Sequence, residues 1–491
     1  MNIIIVYSAL CSLIANAQAK SLWETLADRK KTLLDLENQQ YVGSNIKLNE
    51  LETAANKILM RFKNEELTQL YSNPDNLMFS KSYLYYRNDI NNSKVYKIIR
   101  QMPKGGVLHL HNSMMLDIDS LMNFTRDPNL YICFGKEYFA LLFSKKLPKR
   151  SCPGEWGPLE KVRQVSEDKA KFEEDFKQFF ALHVRDPEEV ANDDLETVWS
   201  KFSQVYKNIK TLISYRPVRE KYIYQSLQNL YDDNVMYAEL RTGLNPVYEI
   251  DGKVHDKHYS VQMYKRVTEA FKQANPDFVG VKLIITTTKD RPATKVKESL
   301  DLAKSFKQKY PDMIAGFDLI GQENKGRPLS DYLGILSQAK NDIEYYLHAG
   351  ETNWNGMPTD ENLFDAVVLD SKRIGHGYAL IKHPSLIQAV IDKQIAIEVN
   401  VLSNNVLGLV KDIRNHPLAT YLSLGLPIVL SSDDPGVWGA DPLSHDYYVT
   451  FMGIANKNAD LRMLKQLALN SITYSSLNDQ EKKDFRDIYD K

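Results

Sequence analysis

Gly106-Val107-Leu108-His109-Leu110-His111 decides how the whole chain is read. The run follows Pro103-Lys104-Gly105, a turn signal, and alternates apolar residues with two histidines. As a β-strand it sends successive side chains to opposite faces, so His109 and His111 share one face and Leu108 and Leu110 the other. Two imidazoles on one strand face, about 6–7 Å apart at Cα, can converge on one cation. Taken alone, the pair reads equally well as buried histidines satisfied by local hydrogen bonds. Two stretches far downstream tip the balance, His348-Ala349-Gly350-Glu351 and Ser432-Asp433-Asp434-Pro435.

Outward from that run, short apolar segments alternate with longer amphipathic ones such as 299–310. Strands are expected at 235–240, 279–285, 314–320, 345–348, 373–376, 395–399 and 427–431. With the first, these eight buried, β-branched strands predict an α/β fold, a (β/α)8 TIM-type barrel. An open doubly wound sheet is the alternative, but only a closed barrel makes the first and eighth strands neighbours.

In the barrel, every candidate residue falls at a strand C-terminal end, where such active sites are built. His109 and His111 end the first strand, His348 the fifth, His376 the sixth, and Asp433 and Asp434 the eighth. Neutral imidazoles of His109, His111 and His348 with the Asp433 carboxylate suit one Zn²⁺ per subunit, with a position left for water. Such a metal brings the pKa of its water toward about 7. Glu351 is placed to move a proton between that water and a substrate. His376 is placed to hold hydroxide or stabilise charge, and Asp434 to accept a hydrogen bond from substrate. His183, His255, His258, His383, His416 and His445 lack such a setting and are assigned structural or surface roles.

The 491 residues are 43% hydrophobic, enough for a large core, and carry a net charge of −1. That balance argues against nucleic acid or an anionic membrane as partner. A mean hydropathy of −0.40 and the absence of any long apolar run argue against a membrane span. Residues 3–14 are uncharged and mostly apolar, and Ala15-Asn16-Ala17-Gln18-Ala19 follows with alternating small residues. This predicts a signal peptide over 1–19 and a secreted, extracellular protein, although no Lys or Arg precedes the apolar run. Removing Cys11 with it leaves Cys133 and Cys152, an even pair expected to form a disulfide. Asn91 and Asn123 head glycosylation sequons.

Residues 20–100 read as a helical segment, with apolar stripes at Leu26, Leu33 and Leu34 and at Leu51, Ile58, Leu59 and Phe62. Asn49 and Glu52 have capping-box spacing before the second stripe. The stripes either pack on the barrel or form a homodimer interface. Residues 123–186 lack clear periodicity and read as a disulfide-containing insertion, leaving 101–122 and 187–491 for the barrel. Within the insertion Lys145-Lys146-Leu147-Pro148-Lys149-Arg150 is either a solvated loop or a site for a polyanion such as a glycosaminoglycan.

Taken together, Met102-Pro103-Lys104-Gly105-Gly106, His109-Leu110-His111, Gly316 to Gly321, His348-Ala349-Gly350-Glu351-Thr352, Arg373-Ile374-Gly375-His376-Gly377 and Ser431-Ser432-Asp433-Asp434-Pro435 resemble the adenosine deaminase family. More narrowly, the chain resembles the secreted adenosine deaminase growth factors, with matches also at Trp199-Ser200-Lys201-Phe202 and Arg414-Asn415-His416-Pro417. The resemblance implies hydrolysis of adenosine, and 2′-deoxyadenosine, to inosine and ammonia. It implies Zn²⁺ on His109, His111, His348 and Asp433, Glu351 donating a proton to purine N1, and His376 beside the attacking hydroxide. Asp434 would meet N7, the Gly321 N–H would meet N3, and Trp199 would line the nucleoside pocket. A homodimer through the N-terminal helices and a cell-surface partner are implied as well. One departure is Asn112, where the family usually has an Asp that helps hold the ribose; asparagine keeps an acceptor but loses the charge.

Two other readings stand beside this one. A growth-factor-like extracellular binding protein could use the same fold without catalysis. Another barrel metallohydrolase is the enzymatic alternative, but no lysine ends strand four or five to bridge two metals. A cytidine-type deaminase needs a P-C-x-x-C thiolate pair, which is absent.

Overall fold

The computed structural model describes residues 24–73, 77–135, 139–152, 154–353 and 356–490. The expected signal peptide and Cys11 lie outside the described residues. In chain order the strands are β1 (Gly106–His111), β2 (Leu130–Phe134), β3 (Phe139–Phe143), β4 (Trp156–Pro158), β5 (Tyr237–Thr242) and β6 (Gly280–Thr288). They continue as β7 (Ile314–Ile320), β8 (Glu344–Tyr345), β9 (His348–Ala349), β10 (Arg373–His376), β11 (Ala396–Val399) and β12 (Ile428–Leu430).

Two sheets of parallel strands run in the orders β1-β5-β6-β7-β8 and β12-β11-β10-β9. Both seams between them are joined. At one, β8 and β9 are pieces of a single extended segment. There the Tyr346 N–H donates to Phe317 O at 3.1 Å and the Gly375 N–H donates to Leu347 O at 2.9 Å. At the other, Leu110 and Asp433 form a parallel bridge. Its bonds are His111 N–H to Asp433 O, 3.0 Å, and Asp433 N–H to His109 O, 3.1 Å. The ring is a (β/α)8 barrel, and β1 and β12 are neighbours in it.

Strands covered on both faces read as continuous buried runs instead of alternating ones. β5, β10, β11 and β12 are buried at every residue. β6 extends to Thr288, beyond the expected end at 285. Thr286 to Thr288 are polar but β-branched, and they stay paired with Asp318 to Ile320 on β7. Outer helices cover the ring. Lys257–Ala274, for example, buries Val261, Tyr264 and Phe271, each worth about 1.5–3 kcal/mol of apolar transfer.

The two N-terminal stripes behave differently. In the helix over 24–40, Leu33 is 67% exposed and Leu26, Leu34 and Leu36 are about half exposed. Helix Glu50–Tyr71 begins at the expected capping box, with Asn49 and Glu52 each accepting from the other's backbone N–H. It packs on the barrel. Lys63 is buried there, donating to Asn456 O at 3.2 Å and Ala459 O at 2.7 Å, with its Nζ 3.8 Å from the centre of the Phe451 ring.

The segment between β1 and β5 is more regular than its sequence suggests. β2, β3 and β4 form an antiparallel sheet in the order β3-β2-β4, and Cys133 is disulfide-bonded to Cys152. β3 buries Phe139, Leu141 and Phe143 on one face, a period too short to stand out from the surrounding prolines and charges. Phe139 packs against Phe176, Phe179 and Phe180. Lys145, Lys146, Lys149 and Arg150 are exposed, as are Asn91 and Asn123. Among the described residues no helix is long and apolar enough to cross a membrane.

Candidate active site

At the C-terminal rim of the barrel, the alternation of β1 turns His109 and His111 inward together, their ring centroids 5.5 Å apart. The His348 ring, from β9, lies 4.5 Å from His109 and 5.5 Å from His111. Asp433, just past β12, brings Oδ1 to 3.3 Å from His109 Nε2 and 3.1 Å from His111 Nε2. Yet His109 Nε2 and Asp433 Oδ1 are buried atoms without a hydrogen-bond partner among the described residues. Leaving such atoms unsatisfied costs about 1–3 kcal/mol each. The opposite ring nitrogens are engaged: His109 Nδ1 lies 2.7 Å from Glu398 Oε2 and His348 Nδ1 lies 2.6 Å from Asp318 Oδ2. A carboxylate only accepts, so both Nδ1 atoms carry a proton, which leaves Nε2 of each ring as the nitrogen able to present a lone pair to a metal. Burial pushes His348 down to about 3 and also lowers His111, keeping both neutral at physiological pH. Imidazoles, one carboxylate and unpartnered buried atoms fit a divalent metal ion.

Beneath the histidines lies a buried layer of charge that sequence reasoning missed. Arg241 Nε donates to Asp318 at 2.7 Å and its Nη2 to Glu398 at 2.5 Å. Arg373 donates to Glu398 at 2.6 Å and to Glu239 at 2.5 Å. Burial alone would raise the Asp318 and Glu398 carboxyls. The hydrogen bond from His348 and the charge of Arg241 for Asp318, and the charges of Arg241 and Arg373 for Glu398, hold them far below the usual carboxylate range. Their signal in the sequence is a lone charge inside a strand otherwise fit for full burial, as in Ala396-Ile397-Glu398-Val399, since a buried charge must be paired.

Above the histidines sit Glu351, Asp434 and His376. Gly350, at φ +76°, makes the turn that follows β9, and its N–H donates to Glu323 Oε1 at 3.0 Å. Burial, then the charges of Asp433 and Glu323, push the Glu351 carboxyl well above its usual range. Burial, Asp433 and Glu351 do the same to Asp434, whose Oδ1 is unpartnered. His376 Nε2 lies 3.6 Å from Glu351 Oε1 and 3.7 Å from Asp433 Oδ2. Burial holds His376 well below the ordinary imidazole value. His376 and Asp433 both adopt left-handed backbone, φ +63° and +59°, local strain of the kind that gathers at functional sites.

These groups open into a cavity of about 190 Å³. Helix Leu195–Leu212 lines one wall with Trp199, Phe202, Ser203 and Tyr206, spaced to share a face. Gly321 lies on the wall at φ +109°, with nothing within 4 Å of where a Cβ would stand. A wider groove of about 420 Å³ near the starts of β5 and β6 gathers none of these histidines.

Asn112 corrects the sequence expectation. It does not stand at the rim of the cavity but is buried behind the wall, because alternation turns it away from the face of His111. With its amide turned to the orientation that satisfies every neighbour, its oxygen accepts from Arg219 Nη1 at 2.9 Å and Tyr264 OH at 2.6 Å, and its Nδ2 donates to Arg241 O at 3.0 Å.

The family model for adenosine deaminase matches residues 183–491, and that for the adenosine/AMP deaminase N-terminal region matches residues 5–99. A protein named adenosine deaminase from Phlebotomus duboscqi is 40% identical over 472 residues, covering 96% of this chain and 91% of its own length. Adenosine deaminase 2 of Homo sapiens is 39% identical over 494 residues, covering 98% and 96%. The crystal structure of an arabidopsis N6-mAMP deaminase shares the fold, with a TM-score of 0.56 at 20% identity over 80% of this chain and 99% of that one. On these matches the chain belongs to the adenosine deaminase family, in its adenosine deaminase 2 branch.

Proposed function

We propose that this chain carries out the family's reaction, hydrolysis of adenosine to inosine and ammonia, as a secreted enzyme with one zinc ion held by His109, His111, His348 and Asp433. The observation that carries the reading is the pair of orphaned buried atoms, His109 Nε2 and Asp433 Oδ1, beside three groups suited to moving protons. When bound, the metal would make hydroxide available at neutral pH.

The remaining steps belong to the protein. Glu351, kept protonated by its surroundings, donates its proton to purine N1 as the C6–oxygen bond forms. Its carboxylate then takes the proton of the new C6 hydroxyl and passes it to the amino group, which leaves as ammonia as the C6–N bond breaks. A protonated Asp434 donates to N7, and the Gly321 N–H donates to N3. His376 holds the attacking oxygen. Trp199 and its neighbours on the helix cover the nucleoside and exclude water. 2′-Deoxyadenosine fits the same account.

Secretion is supported by the pattern at 1–19 and by the disulfide, which suits an oxidising compartment. The exposed leucines over 24–40 support a homodimer through that helix. The same reading divides the chain into 20–100, the barrel at 101–122 and 187–491, and the insertion at 123–186. Its exposed basic run would meet a polyanion such as a glycosaminoglycan on the cell surface. A binding-only role is the weaker reading, because the donor set and Glu351 are complete.

The test is adenosine turnover, followed by absorbance, with metal analysis of the same sample. About one zinc per chain, activity lost on chelation and restored by one equivalent, is the expected outcome for a single site of this composition. Full turnover without metal would overturn the reading.

A further inference from the structure

His416 had no setting in the sequence, yet it sits behind His376. The Leu418 N–H donates to His416 Nδ1 at 3.0 Å, so Nδ1 holds a lone pair. Burial pushes His416 down to about 3, which leaves its one proton on Nε2, 3.0 Å from Asn404 Oδ1. That bond decides which way the Asn404 amide faces. Its oxygen meets His416, and its Nδ2 lies 3.3 Å from His376 Nδ1. An amide NH₂ only donates, so His376 Nδ1 must accept. With Nδ1 accepting, the ring proton of His376 is on Nε2, the nitrogen that faces Glu351 and Asp433. All three side chains are buried (His376 2%, Asn404 0%, His416 3% exposed), so bulk water offers no competing partner. Asn400 Nδ2 lies 3.5 Å from both ring nitrogens of His376, a longer contact that favours neither.

We propose that Asn404 and His416 are positioning residues that hold His376 in the Nε2–H tautomer. His376 therefore meets the attacking oxygen as a hydrogen-bond donor and not as a base. The inference rests on the reading of His376 given above and names what enforces it, a relay from the Leu418 backbone through two side chains.

Long-range ¹H–¹⁵N correlation spectra of the active enzyme, labelled with ¹⁵N-histidine, report the tautomer of each ring. His376 is assigned by the signal lost in His376→Gln. The expected spectrum shows a protonated Nε2 and an unprotonated Nδ1. Asn404→Asp puts a carboxylate oxygen where the NH₂ was, so the His376 proton is expected to move to Nδ1. With it kcat should fall about 10²–10³-fold, the scale of losing one donor to a developing oxyanion, while KM for adenosine changes little. His416→Phe frees the amide to turn and should leave His376 a mixture of tautomers. A wild-type His376 already protonated on Nδ1, or a tautomer unmoved by Asn404→Asp, overturns the relay. If the tautomer moves and kcat does not, the relay stands and the part assigned to His376 in the reaction fails. The wild-type spectrum decides the tautomer even if a variant does not fold.

Discussion

Two pairs of buried carboxyl groups flank the histidines, and they are held in opposite protonation states. Below, Asp318 and Glu398 touch Arg241 and Arg373 and stay ionised, each accepting from the Nδ1 of a histidine. Above, Glu351 and Asp434 have no arginine or lysine paired to them among the described residues and face Asp433 instead, which keeps them protonated. Burial is nearly the same in both layers; the neighbouring charge decides. The lower pair can orient ligands because it only accepts. The upper pair can serve a purine because it has protons to give.

The largest effect should come from removing the proton above. Glu351→Gln is expected to lower kcat by about 10²–10⁴-fold, with metal content retained. Near-normal turnover would hand the acid role to another group. Since Glu351 acts protonated and its pKa is raised, wild-type kcat/KM should decline as the pH rises through that raised value, and an activity profile checks this.

Breaking the lower layer should cost stability. Glu398→Gln leaves Arg241 and Arg373 with too little negative charge, a loss of about 3–5 kcal/mol by denaturant unfolding at neutral pH. The sign with pH follows from the depressed folded pKa. The contribution of Glu398 is present above its unfolded value of about 4 and is lost as the pH falls further toward the folded value. The gap between wild type and variant should therefore narrow in acid.

A smaller effect lies far from both layers. Cys133→Ser removes a link between residues 19 apart, worth about 3 kcal/mol in the chain-entropy model, and unfolding with unchanged kcat checks it. The smallest belongs to Asn112→Asp, which sets a carboxylate against Arg219. The charge-assisted bond gained from Arg219 is offset by losing the donor to the Arg241 carbonyl, so stability should change by less than about 1 kcal/mol and KM for adenosine should stay unchanged. A lowered KM would return this position to the ribose.

The sequence carried the ring and its rim more fully than the surroundings. β1, β7 and β10 begin and end where periodicity and turn signals put them. The shared face of His109 and His111 follows from a period of two. That same period, applied one residue further, turns Asn112 away from the cavity. Asp318 and Glu398 were visible only as isolated charges in apolar strands, and which arginine neutralises them depends on strands distant in sequence. His416 was illegible because its setting is tertiary: it lies 12 residues from Asn404, which lies 28 from His376. The antiparallel sheet of the insertion has strands too short for alternation to emerge from local composition.

The division of labour between the two layers is tested most directly by a zinc titration of chelated protein, read by adenosine turnover, with Glu398→Gln and Glu351→Gln side by side. The account predicts that Glu398→Gln binds zinc about 10–100-fold more weakly than wild type, as loss of a ligand-orienting partner does, and regains most turnover at saturating metal. Glu351→Gln should bind zinc as wild type does and stay inactive at every concentration. Wild-type zinc affinity in Glu398→Gln, or recovery of turnover in Glu351→Gln, would contradict it.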